Sequence, residues 1–246
     1  SWTHLAAPSS TYCGDIAYNG VTYVLSDGAI AGSISTTTDF ITFTSRHIVP
    51  YGSTAGSRIT YSPTFSKFYV HSSDGSGNHK VSYSTDGLSG WTDATVLLGG
   101  SGTSGTGQKI VEFKGALVLC VNDNTSVNTY KSTNGTSWTL ATNITNATSA
   151  GSSYRDSILA TPDALYYQST TSNVISYVTD LTSSVPRNTS TFGNSTLSSI
   201  NYDTVNNRVV TTETNSLTTI VIRYIPYLNI ANKVVMPVQN TLVRVY

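Results

Sequence analysis

The stretch Ser132-Thr133-Asn134-Gly135-Thr136-Ser137-Trp138-Thr139 constrains this chain more than any other feature, because it recurs. Asn-Gly between short polar and β-branched residues predicts a two-residue hairpin turn of type I′, whose central residues both need φ > 0. The Trp that follows starts the returning strand and brings a large apolar body to be buried. Thr37 to Thr44 matches the stretch position for position, with Phe43 in place of the Trp, and Ser84 to Thr92 matches with one inserted residue. Ser1-Trp2-Thr3 reads as the second half of another copy, and Val178-Thr179-Asp180-Leu181 as a decayed one. Phe43, Trp91 and Trp138 stand 48 and 47 residues apart. A fixed spacing in that range marks a repeat architecture.

A second mark opens each unit. Ile16, Ile59, Ile110, Ile158 and Ile200 align, at intervals of 43, 51, 48 and 42 residues. Each is followed by a turn (Asn19-Gly20, Pro63-Thr64, Lys114-Gly115, Pro162-Asp163, Asn206-Asn207) and then by a second strand. The second strands read as Val21 to Leu25, Lys67 to His71, Ala116 to Val121, Ala164 to Gln168 and Arg208 to Thr212. A third strand runs into the hairpin and a fourth leaves it. No segment carries a useful apolar stripe of helical period, whereas β-branched residues and Tyr dominate.

Four short antiparallel strands repeated about every 47 residues predict a β-propeller. The expected fold is all-β, one domain over residues 1–246, with five blades; six is the alternative. Ser1 to Leu5 is expected to supply the outer strand of the last blade, pairing with Thr218 to Tyr224 and closing the ring, since unclosed terminal blades leave sheet edges unpaired. The tail from Tyr227 to Tyr246 does not follow the unit. Its strand-like pieces, Lys233 to Pro237 and Thr241 to Tyr246, add an outer strand to the last blade or build an irregular sixth. Gly99 to Gly107 is expected to be an inter-blade loop rather than a linker, and Asp74 to Asn78 a hairpin connection rather than a Ca²⁺ loop, which would end in a Glu. Trp91, Trp138 and the five Ile are expected to be mostly buried between blades.

Composition narrows the functions open to such a scaffold. Charged residues make up 11% of the chain, 13 basic against 13 acidic, so no basic excess exists to bind nucleic acid. No apolar run approaches the roughly 18 residues of a membrane span, so no membrane insertion is expected. Richness in Ser, Thr, Asn and Gly, with 16 Tyr against 6 Phe, suits exposed sheet with wet loops, common in secreted and virion proteins. The start at Ser1-Trp2 reads as that of a processed chain or an excised domain. Cys13 and Cys120 fall two units apart, too far to bridge, and are expected to be free thiols. Six N-x-[S/T] sequons, at Asn124, Asn134, Asn143, Asn146, Asn188 and Asn194, are what chance supplies in such a composition.

The hairpin resembles the Asp-box (BNR repeat) of sialidases and related propellers, S-x-D-x-G-x-T-W, one residue shorter and with Gly directly after Asp or Asn. In that motif the Ser and Asp hold the turn and the Trp packs between blades. The unit as a whole is more similar to the repeats of tailed-bacteriophage tail fibres and other virion propellers, W-T-x-x-x-L-P-S-S, then Y-x-x-x-A-Y-G-N-G-x-F-V-A-V, then S-x-D-G-x-x-W-T. Ser1-Trp2-Thr3-His4-Leu5-Ala6-Ala7-Pro8-Ser9-Ser10, then Ile16-Ala17-Tyr18-Asn19-Gly20 and Tyr23-Val24, follow it into the hairpin at Thr37. The likeness covers residues 1–140 well, weakens to about residue 225 and is absent from the tail. It implies a virion component, exposed on the particle surface as part of a tail or capsid.

Catalytic constellations are not evident. A sialidase needs three convergent arginines and a Tyr–Glu pair, yet Glu occurs only at Glu112 and Glu213 and the Arg-Ile-Pro motif is missing. A glycosidase needs two apposed carboxylates, whereas several Asp residues here sit in turns where they cap backbone. His4, His47, His71 and His79 show no metal-ligand spacing. No cofactor or metal is expected.

A binding surface remains. Tyr12, Tyr51 and Tyr154 each precede a first strand, with Asp15, Arg58, Arg155 and Asp156 close by. In a propeller these positions gather on one face, where Tyr and polar groups either stack on sugar or a protein epitope or merely cover blade edges. The expected function is non-enzymatic: a receptor-binding virion propeller that contacts host-surface glycan or protein. The alternatives are a structural knob bound to other virion proteins, and an exported Asp-box glycosidase-like enzyme.

Overall fold

The computed structural model describes residues 13–27, 33–49, 58–73, 79–96, 109–122, 126–145, 158–168, 174–182, 187–191, 196–216 and 219–226. Nineteen strands lie in these residues, in five antiparallel sheets whose strand order follows the sequence. Blade 1 comprises β1 (Cys13–Tyr18), β2 (Tyr23–Asp27), β3 (Ser33–Thr37) and β4 (Thr44–Ile48). Blade 2 comprises β5 (Arg58–Ser62), β6 (Lys67–Ser73), β7 (His79–Ser84) and β8 (Thr92–Val96). Blade 3 comprises β9 (Lys109–Phe113), β10 (Ala116–Asn122), β11 (Ser126–Ser132) and β12 (Thr139–Thr145). Blade 4 comprises β13 (Ile158–Ala160), β14 (Leu165–Gln168), β15 (Val174–Val178) and β16 (Arg187–Thr191). Blade 5 has three described strands, β17 (Thr196–Asp203), β18 (Arg208–Ser216) and β19 (Thr219–Pro226).

The first strands of consecutive blades lie side by side, β1 by β5, β5 by β9, β9 by β13 and β13 by β17. This is the all-β propeller arrangement that the repeat predicts. Gly99 to Gly107 falls between β8 of one sheet and β9 of the next, and residues 74–78 join the antiparallel pair β6 and β7. The closing strand Ser1 to Leu5 and the tail from Tyr227 lie outside the described residues. No helix long and apolar enough to cross a membrane occurs among the described residues.

Alternation gives each sheet two faces, and in consecutive blades the forward face of one packs on the rearward face of the next. Val24 and Ile34 of blade 1 meet Ile59, Phe68, Val70 and Trp91 of blade 2. Tyr69 and Val81 of blade 2 meet Ile110, Leu117, Leu119 and Trp138 of blade 3. Val118, Cys120 and Val127 then meet Ile158, Leu165 and Tyr167, and Tyr166, Ile175 and Tyr177 meet Ile200 and Val209. Ile59, Ile110, Ile158 and Ile200 are buried as expected, Trp138 is 3% exposed and Trp91 is partly buried. Ile16 corrects the expectation at 45% exposed, although Leu25, its partner across the β1–β2 pair on the same face, is buried. The Cys120 thiol is free and buried, and burial raises its pKa to about 12, so it is inert packing.

The hairpins also differ from expectation. They are not two-residue type I′ turns: β3 and β4 are joined by residues 38–43, β7 and β8 by 85–91, and β11 and β12 by 133–138. Asn134 does not have positive φ, whereas Gly135 does, at 73°. The turn is held by a side chain instead. Asn134 Oδ1 accepts the N–H of Thr136 (2.9 Å) and of Ser137 (2.8 Å), and Ser132 Oγ donates to it at 3.2 Å. Asp39 accepts from Ile41, Thr42 and the Thr37 hydroxyl in the same way, and Asp86 from Leu88, Ser89 and the Ser84 hydroxyl. One side chain thus satisfies backbone donors that a short type I′ turn would have paired across the strands.

Candidate binding face

Because strands alternate in direction, each blade has a hairpin end and a loop end. First-to-second and third-to-fourth connections share the hairpin end; second-to-third and inter-blade connections share the loop end. Of the residues expected to form a site, Asp15 and Arg58 lie at the loop end, while Tyr12, Tyr51, Tyr154, Arg155 and Asp156 lie outside the described residues.

Asp15 and Arg58 come together, and their described contacts join blade 1 to blade 2. Asp15 Oδ2 accepts the N–H of Ile59 at 3.2 Å, and its Oδ1 accepts that of Ile16 at 2.9 Å. Arg58 Nη1 donates to the carbonyl of Gly14 at 2.9 Å. Lys109 stands before Ile110 as Arg58 stands before Ile59, and its Nζ donates to the carbonyl of Ile158 at 3.0 Å, joining blade 3 to blade 4. Cations at this position therefore bridge neighbouring first strands. At the opposite end Glu112 of blade 3 accepts from the Ser62 hydroxyl and from the N–H and hydroxyl of Thr64 on blade 2.

Two histidines that sequence spacing left unassigned meet at the loop end of blade 2. His71 ends up close to His79 because β6 and β7 pair with Ser73 opposite His79, and the rings touch through His71 Nε2 and His79 Nδ1 at 3.0 Å. Both are buried. Burial first, and the neighbouring His79 second, hold His71 well below its usual pKa, so its ring is neutral packing rather than a charged group. Only the cross-strand register, not the eight-residue spacing, reveals it.

A third cluster lies between the outer strands of blades 1 and 2. His47 Nε2 lies 3.3 Å from Asp93 Oδ1, which also accepts the Ser82 hydroxyl at 2.6 Å, and the His47 ring stacks parallel on Trp91 with centroids 5.5 Å apart. The Ser hydroxyl is directed at the carboxylate and fully buried, not at an imidazole, so the group lacks the nucleophile–base contact that acyl transfer requires. Among the described residues no three His, Cys, Asp or Glu are grouped to hold a metal ion. Described arginine contacts are structural: Arg46 Nε donates to Thr36 Oγ1 at 2.8 Å, and Arg208 Nε to Asp203 at 2.9 Å.

No family model matches this chain, and no curated protein does. Solved structures match across most of it. YCF48 from Cyanidioschyzon merolae aligns at 16% identity and a TM-score of 0.56, over 91% of this chain and 74% of its own. A protein of unknown function from Dyadobacter fermentans aligns at 14% identity and 0.56, over 94% and 83%. A quinonprotein alcohol dehydrogenase-like protein from Bacteroides thetaiotaomicron aligns at 12% and 0.55, over 86% of this chain but 52% of its own, so this chain spans about half its length. At such identities the likeness establishes the propeller fold.

Proposed function

We propose that this chain is a non-enzymatic binding propeller of a phage virion, displayed on the tail or capsid surface, which engages host-surface glycan or protein through its loop end. The observation that carries the reading is the inequality of the two ends. Connections at the hairpin end run to seven residues at most in blades 1 to 3 and are tied down by Asp39, Asp86 and Asn134. Inter-blade connections at the loop end reach twelve residues, at 97–108 and 146–157, and one of these carries Tyr154, Arg155 and Asp156. Long connections on a rigid scaffold are where recognition is built, because they vary without disturbing the sheets. Tyr12, Tyr51 and Tyr154 supply stacking surface there, and the balanced charge suits a neutral glycan or a mixed protein epitope better than nucleic acid. The virion setting rests on the likeness of residues 1–140 to tail-fibre repeats.

The test is retention of the full chain on host cells, with competition by glycan extracted from their surface. Tyr51→Ala combined with Tyr154→Ala should abolish retention while leaving the melting temperature nearly unchanged. Asn134→Ala, at the opposite end, should lower stability with little effect on binding. No retention on host cells, together with capture of other virion proteins, would make the chain a structural knob instead. Release of reducing sugar from host polysaccharide would make it an enzyme.

A further inference from the structure

The outer strand of a propeller blade leaves one edge of its sheet unpaired, and the described outer strands are not alike. β4, β12 and β16 each carry one residue more than their partner strand. Pairing passes from His47 to Ser45, from Thr142 to Leu140 and from Ser190 to Asn188, so Arg46, Ala141 and Thr189 stand as bulges. A bulge bends the strand and spoils its free edge as a template for another strand. β8 has none. Thr92, Asp93, Ala94, Thr95 and Val96 pair in unbroken register with Tyr83, Ser82, Val81, Lys80 and His79. The sheet of blade 2 ends at β8, where Thr92 and Asp93 are exposed. Among the described outer strands, β8 thus offers the one regular edge.

We propose that β8 is a docking edge for β8 of a second copy of this chain, the two strands running antiparallel about a two-fold axis at Ala94. Such an isologous contact joins two four-stranded sheets into one continuous sheet.

The sequence of β8 is fitted to itself. A register centred on Asp93 would set two carboxylates face to face, which destabilises a sheet. Centred on Ala94, all five residues pair: Ala94 meets its own counterpart, Asp93 falls opposite Thr95, and Thr92 opposite Val96. Charges then complement each other across the joint. Lys80 of β7 lies opposite Thr95, so one row of the joined sheet reads Lys80, Thr95, then Asp93 and Ser82 of the second copy. Neighbouring strands stand about 4.8 Å apart, which puts Lys80 and the second copy's Asp93 about 10 Å apart at Cα. An extended lysine leaning across the intervening strand closes that gap, and the two-fold axis supplies the pair twice. So short an edge buries less than the roughly 1,200 Å² of a stable interface, so the dimer forms where copies are concentrated.

Sedimentation of the full chain over a wide concentration range should show a monomer–dimer equilibrium. Lys80→Glu and Asp93→Lys each place like charges in one row and should weaken the dimer roughly tenfold or more. The double exchange should restore it. Melting of each variant at low concentration separates loss of the dimer from loss of the fold. Ala94→Cys gives a second readout, independent of those charges. Facing residues of paired strands lie within about 5.5 Å at Cα, so mild oxidation should link Ala94→Cys into dimers. Ser45→Cys, on the bulged β4, should link far more slowly. A chain that stays monomeric at every concentration would overturn the proposal, as would a dimer indifferent to both charge changes. Equal linking of Ala94→Cys and Ser45→Cys would overturn it too.

Discussion

Phe40 and Gly87 occupy the same turn position one blade apart, both with left-handed backbone, at φ 58° and 74°. At Gly87 the preceding blade stands so close that a Cβ would lie 2.5 Å from Val24 Cγ2, whereas Phe40 packs its ring on Tyr23 with centroids 4.4 Å apart. One backbone conformation thus serves a closed seam in one blade and an aromatic surface in the other.

The two positions should therefore respond oppositely to substitution. Gly87→Ala and Gly135→Ala must push a Cβ into Val24 or Tyr69 and also place an L side chain at positive φ. Each should cost about 2–4 kcal/mol, the sum of overpacking and left-handed strain. Gly20→Ala, at φ 99° with open space around it, should cost only the backbone part, about 1–2 kcal/mol. Phe40→Gly trades relief of strain against loss of the Tyr23 contact and should stay within about 1 kcal/mol of wild type. Urea unfolding of the four variants checks the order. Equal losses at Gly20 and Gly135 would show that blade packing does not constrain the turn.

Trp138 and Trp91 match in the repeat but not in burial. Trp138→Ala removes a ring 3% exposed between blades 2 and 3 and should cost about 3–5 kcal/mol. Trp91→Ala, at a partly buried position against His47, should cost clearly less, and the same unfolding measurement separates the two.

The repeat was legible in the sequence because propeller blades bury the same positions each time, so Ile59, Ile110, Ile158 and Ile200 had to stay apolar. Ile16 kept the pattern without the burial, since sequence records a position in the repeat and not what stands opposite it. The inserted residue of the second hairpin shows a subtler limit. Between β3 and β4 the register slips at Ile34/Ser35, and between β11 and β12 at Thr129/Tyr130, whereas β7 and β8 pair without a slip. The extra residue in blade 2 stands in the hairpin, around Gly90, and in blades 1 and 3 it stands in the fourth strand as a bulge. An alignment registers an insertion where the fold merely moves one residue. At the candidate site, Asp15 and Arg58 were found as a pair of charges by position alone, but their described bonds to Ile59 N–H and Gly14 carbonyl depend on strand contacts that no spacing displays.

Acid should loosen the hairpins unequally. The N–H of Thr42, then that of Ile41, hold Asp39 below the usual carboxylate pKa, and Ser89 and then Leu88 do so for Asp86. A carboxylate with a depressed folded pKa contributes stability above its unfolded pKa of 3.8, and that contribution is lost as pH falls through the folded value. Asp203, drawn down to about 2 by the Asn206 side chain and N–H and then by Arg208, adds to the same loss between about pH 4 and 2. Asn134 carries an amide and cannot titrate. Asp86→Asn should accordingly flatten the acid limb of stability against pH while keeping the turn, as Asn134 does in blade 3. An unchanged acid limb would mean that these bonds persist in the unfolded chain.

The buried histidine pair gives a second, separate pH dependence. His71 is held neutral in the fold by burial and by His79, with its pKa well below 6.5. In the unfolded chain it takes up a proton as pH falls through 6.5, so below that point the unfolded state binds more protons than the folded one. Stability should be full above about pH 6.5 and decline as pH falls from there towards the depressed folded value, before the carboxylates begin to protonate. His71→Gln keeps a hydrogen-bonding group beside His79 but carries no titrating ring. Urea midpoints between about pH 8 and 5 should fall less steeply in this variant than in the wild type. Parallel slopes for the two proteins would show that His71 is charged equally in both states, which its burial beside a second imidazole does not allow.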